Sequence, residues 1–112
     1  MRITPGVRLL GIRPELLLGV IIVDQVFREH GHEWIWTAGI DRVHSRGSLH
    51  YVGAAADGRR WGISEARLQA MAQEAREALG WTADDPGDFD LVVERTHLHL
   101  EWQPKRPYTG SR

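Results

Sequence analysis

Residues 64–80 read SEARLQAMAQEAREALG, and no other segment constrains the fold as tightly. Leu68, Met71, Ala72, Ala75 and Leu79 recur at helical spacing and make one apolar face. Ser64 suits the N-cap, because its hydroxyl can accept an amide of the first turn that the helix leaves unpaired. Gly80 suits the position just past the last turn. A helix apolar on one side must bury that side against another layer, so the rest of the chain has to supply one.

A second helix fits RPELLLGVIIVDQVFREHGH. Pro14 loses nothing at a first turn, Glu15 favours the positive end of the helix dipole, and Gly31 suits the stop. His30 and His32 fall where an imidazolium favours the negative end. Residues 16–23 are apolar almost all round, which predicts a largely buried helix. The β-branched run at 20–23 would also suit a strand. EWIWTAG alternates like a strand, residues 39–47 read as a loop, and a short strand is expected over 53–57, where small side chains let other backbone come close. TADDPGD is turn-rich. FDLVVERTHLHLEW gives one or two strands. The sum is a small single α+β domain, an antiparallel sheet with two main helices packed on it, spanning residues 1–104. A polar, flexible tail is expected over 105–112.

The chain has 112 residues, a formal net charge of −1 and no cysteine. That length fits one domain with a real core. The balanced charge argues against a nucleic-acid partner, which calls for a strongly basic face. The apolar run is far short of the roughly 20 residues that span a bilayer, and no signal-peptide pattern opens the chain. The expectation is a cytoplasmic protein, or one that reaches the cell wall by a route not encoded here. Without thiolates, any metal must be held by carboxylates and the six histidines. The tryptophans at 34, 36, 61, 81 and 102 read as core or cleft walls.

Candidate chemistry lies in two places. His50 and Asp57 bracket Gly53 and three alanines in SLHYVGAAADGR. Downstream, ERTHLHLE offers Glu94, His97, His99 and Glu101. On one strand His97, His99 and Glu101 share a face. Imidazole nitrogens and a carboxylate oxygen, with one position left for water, make the usual open zinc site.

The segment HYVGAAAD, residues 50–57, resembles the His-x-x-Gly-x-Ala-x-Asp motif of the zinc D-Ala-D-Ala carboxypeptidase and L-Ala-D-Glu endopeptidase family. That family includes dipeptidases, murein endopeptidases and phage endolysins, and the hedgehog signalling domain shares its fold. FDLVVERTHLHLE is similar to the family's closing strand, and TAGIDRVHSRGSLH looks like the loop before the first ligand. The resemblance covers residues 34–102.

The resemblance implies a Zn2+ site and assigns roles. His50 and Asp57 match the first two ligands. The third is His99 on a His-x-His pattern, which is preferred here, or His97 on a Glu-x-x-His pattern. With His99 as ligand, His97 stands beside the metal as a catalytic residue facing the oxyanion. Glu94 matches the general base, with Glu101 as competitor. In a straight strand Glu94 would face away from His97, so a bulge or a loop start is needed to aim it. Ser48, Arg42 and Arg46 match substrate-holding positions. The implied activity is a zinc metallopeptidase, carboxypeptidase or endopeptidase, acting on peptidoglycan peptides with D-amino acids, and phage- or prophage-encoded. The alternatives are a non-catalytic zinc module serving structure or a partner, and a metal-free phage accessory protein.

Overall fold

The computed structural model describes residues 1–39 and 53–104. The predicted tail at 105–112 lies outside them. The elements run β1 (Arg2–Ile3), α1 (Pro14–Glu29), β2 (Ile35–Ala38), β3 (Ala55–Gly58), α2 (Glu65–Ala78), β4 (Phe89–Val93) and β5 (Leu98–Trp102). The strands form one sheet in the order β1-β2-β3-β5-β4. No helix among the described residues is long and apolar enough to cross a membrane.

The α+β class and the two helices match the sequence reading. The purely antiparallel sheet does not, because β1 pairs parallel to β2 while every other pair is antiparallel. Two backbone bonds hold that edge, Arg2 N–H to the Trp34 carbonyl at 2.9 Å and Thr4 N–H to the Trp36 carbonyl at 3.2 Å. The predicted strand over 53–57 begins and ends slightly later, at Ala55–Gly58.

Both helices cover one face of the sheet. In α2, Leu68, Met71, Ala72 and Ala75 are buried, and the Ser64 hydroxyl caps the helix by accepting the Arg67 amide at 3.4 Å. In α1, Leu16, Val20, Val23 and Phe27 form the buried stripe. Burying such a stripe removes about 2 kcal/mol worth of apolar surface from water per side chain, which settles the helix against the competing strand preference. The all-round burial expected for α1 is not found. Leu17, Leu18 and Ile21 are 40%, 57% and 44% exposed, because only one side of the helix meets the sheet and α2.

From the sheet, Trp36, Ala56, Leu91, Leu98 and Leu100 join this core, and Trp34 is fully buried with them. On β5 the core residues Leu98 and Leu100 alternate with His99 and Glu101, so these two point to the opposite, helix-free face. Val92, the register partner of His99 on β4, is 45% exposed on that face.

Two glycines of the motif region have structural reasons to be glycine. Gly53 adopts φ +72°, and a Cβ there would lie 2.2 Å from the Gly11 carbonyl oxygen. Its own carbonyl accepts the Arg13 amide at 3.0 Å, which ties the start of α1 to the approach into β3. Gly58 lies flat on the Trp34 indole, where a Cβ would come within 2.7 Å of the ring. The close backbone approach expected of this small-residue stretch is therefore observed.

Candidate metal centre

The site grows out of the β3–β5 ladder. Asp57 on β3 is the register partner of His99 on β5, and cross-strand partners share a face. Asp57 Oδ1 lies 2.7 Å from His99 Nδ1. His97, two residues earlier, brings its Nε2 to 3.5 Å from the same oxygen. Its Nδ1 meets the Thr96 hydroxyl at 2.9 Å, which leaves Nε2 turned toward Asp57. Asp57, His97 and His99 form a group whose three donor atoms all lie within 4.8 Å of one another. Ligand atoms on a tetrahedral ion with bonds of about 2.1 Å sit roughly 3.4 Å apart, so the set fits a small divalent cation after a slight widening of the Asp57–His99 pair. One carboxylate and two imidazoles suit zinc and also other borderline metals.

Two carboxylates set the electrostatics around His99. His99 is flanked by Asp57 on one ring nitrogen and by Glu101 on the other, with Nε2 2.8 Å from Glu101 Oε1. Its pKa is pushed up to about 9. The Asp57 hydrogen bond raises it most, burial works the other way, and Glu101 adds a second upward push. The pocket thus stabilises positive charge at this point of the sheet.

Sequence reasoning read FDLVVERTHLHLEW as one or two strands, and the single-strand form put Glu94 on the wrong side. The segment is a hairpin. The Glu94 amide donates to the His97 carbonyl at 2.8 Å, closing a four-residue turn between β4 and β5. Glu94 and His97 thus oppose each other at the hairpin mouth rather than alternating along one strand. Arg60 fixes the turn, with Nη1 2.6 Å from the Glu94 carbonyl oxygen and Nη2 paired to Glu65 at the start of α2. The Glu94 carboxylate is exposed, and Glu94 lines a cavity of about 380 Å3 together with His99 and Glu101.

A second cavity of about 380 Å3 lies on the other side of the cluster and includes Thr37, Asp57, Arg59, Trp61 and His97 in its wall. Thr37 enters it where the β2–β3 register shifts between Trp36 and Ala38, an irregularity that re-aims side chains. Arg59 and Trp61 were not singled out from the sequence as site residues. The Arg59 guanidinium lies 4.1 Å from the Trp61 ring centroid, and Trp61 is 69% exposed. The Arg59 Nε is buried without a hydrogen-bond partner among the described residues. A cation two residues after the motif aspartate, with an aromatic two further on, was the available signal.

Of the predicted site residues, Asp57, His97 and His99 come together, and Glu94 and Glu101 border them. His50, Ser48, Arg42 and Arg46 lie outside the described residues. No family model, no curated protein and no solved structure matches this chain. The family resemblance therefore rests on the motif residues themselves.

Proposed function

We propose that this chain is a zinc-dependent peptidase acting on peptidoglycan peptides that contain D-amino acids. One observation supports the reading above the others. Asp57 from the first motif and the histidines of the second, about forty residues apart in sequence, meet on the helix-free face of the sheet with donor atoms all within 4.8 Å of one another.

Asp57 and His99 would hold the ion, with His50 as the third ligand that the motif resemblance implies; His97, the third member of the observed group, then faces the substrate. When bound, zinc acidifies water and polarises a carbonyl. Glu94 takes the proton of the attacking water and returns it to the leaving amine, which calls for a carboxylate free to move beside the site. Its carboxylate is exposed at the β4–β5 turn, in the wall of the cavity that His99 also lines. His97 lies in the wall that carries Asp57 and donates a hydrogen bond to the substrate oxygen as negative charge develops there. Arg59 supplies a cation in the wall that also carries Asp57 and His97, which favours substrates bearing a carboxylate.

The test is incubation of zinc-loaded protein with defined muropeptides, followed by mass spectrometry. Products cut at a bond to a D-residue are expected. Intact substrates after prolonged incubation with protein shown to carry zinc would overturn the reading.

A further inference from the structure

We propose that Glu101 is a positioning residue for the metal centre, holding His99 in the tautomer whose Nδ1 faces the ion; the inference rests on the zinc reading above. An imidazole bound to a metal offers one nitrogen to the ion and carries its proton on the other. Both nitrogens of His99 are engaged by carboxylates, Nδ1 by Asp57 at 2.7 Å and Nε2 by Glu101 at 2.8 Å. Only one side can be the metal side. Asp57 belongs to the three-residue group with His97, and Glu101 does not. The ion therefore belongs at Nδ1, and Nε2–H donates to Glu101.

The sheet builds this arrangement. His99 and Glu101 stand two residues apart on β5 and share its helix-free face. Glu101 is paired to Ala55 on β3 and Asp90 on β4, so its backbone is held from both sides. Ala55 presents no polar group to compete for the carboxylate. A carboxylate behind a metal-bound histidine fixes the ring and raises its basicity, and its loss typically weakens metal binding 10- to 100-fold. The two acidic residues that compete for the base role at sequence level then have separate tasks. Glu101 stands behind the ring, and Glu94 sits at the β4–β5 turn, which borders the same cavity.

The test is zinc affinity by chelator competition for the full chain, Glu101→Leu and Glu101→Gln, with 15N spectra of the His99 imidazole in the zinc-loaded proteins. Glu101→Leu is expected to bind zinc 10- to 100-fold more weakly. Glu101→Gln, whose amide oxygen still accepts the Nε2–H, is expected to stay within about threefold of the parent. The parent and Glu101→Gln should show a protonated Nε2 and a metal-bound Nδ1. A merely structural role for Glu101 would lower the stability of the metal-free chain without changing which nitrogen is protonated. Parent-like affinity in Glu101→Leu, or metal on Nε2 in the parent, overturns the assignment while leaving the zinc reading intact. Parent protein that takes up no zinc removes both.

Discussion

Asp57 and His99 face each other across the β3–β5 ladder, with Oδ1 2.7 Å from Nδ1. Neighbouring strands fix that distance, so the pair does not depend on the conformation of a loop. In the metal-free chain it acts as an ion pair, and under the proposed zinc reading both atoms are ligands. Zinc affinity should accordingly rise with pH, because the proton on His99 has to leave first.

The same pair sets a pH dependence for the metal-free protein. The folded pKa of His99, about 9, lies above its ordinary value of 6.5. A raised imidazole pKa stabilises the folded state fully below the unfolded value and loses that stability as pH rises through the folded one. The full shift corresponds to about 3 kcal/mol. Screening around a partly solvated pair reduces the expected loss to about 1–2 kcal/mol between pH 6.5 and 9. Urea unfolding in the presence of chelator measures it, and His99→Gln should remove most of the slope. A parent curve that stays flat across this window contradicts the assignment.

Replacing Glu94 with Gln should leave zinc content and fold unchanged and reduce hydrolysis at least 100-fold, the usual worth of a general base. Mass spectrometry of muropeptide digests beside metal analysis gives both numbers. Undiminished digestion would show that another group takes the proton. A parent protein that holds zinc and cleaves nothing would favour the non-catalytic module.

Away from the site, Asp24 is the buried charge on which α1 depends. It is 8% exposed, accepts the Trp34 amide at 2.9 Å and the Arg28 Nε at 2.9 Å, and lies 3.0 Å from the Met1 amino group. Burial pushes its pKa up, but the Trp34 amide, the Met1 ammonium and Arg28 together hold it below the ordinary carboxylate value. Its stabilisation is present above about pH 4 and lost as pH falls further. Asp24→Ala strands a buried amide and should cost about 2–3 kcal/mol in chemical unfolding. A loss under about 0.5 kcal/mol would show that the network carries little.

Gly53→Ala tests why the motif needs glycine. The backbone at φ +72° already disfavours alanine, and the new methyl group would meet the Gly11 carbonyl oxygen. A loss of about 2 kcal/mol or more is expected, with zinc affinity reduced because the approach to β3 shifts. A variant as stable as the parent would mean the close approach is easily relieved.

Much of this was legible in the chain. The helices announced themselves through Ser64, Pro14 and two apolar stripes, because period and capping are local properties. Residue type and order singled out Asp57, His97 and His99 as site residues, and the structure brings these three together, while His50 lies outside the described residues. What sequence missed depends on partners. β1 is two residues long and exists through backbone bonds to β2, which leave no side-chain pattern. The turn at Glu94–His97 carries no glycine, proline or asparagine, so the alternation ran on through it and misplaced Glu94. The exposed side of α1 was unreadable because Leu17 and Leu18 are chemically identical to the buried Leu16. Arg59 gained interest only once its side chain was seen in the same wall as Asp57.

Metal content measured on gently purified protein, parent beside Asp57→Ala, tests the central claim most directly. The account predicts close to one zinc per chain in the parent and almost none in the variant. Equal zinc in both proteins, or none in the parent after incubation with zinc, would contradict it.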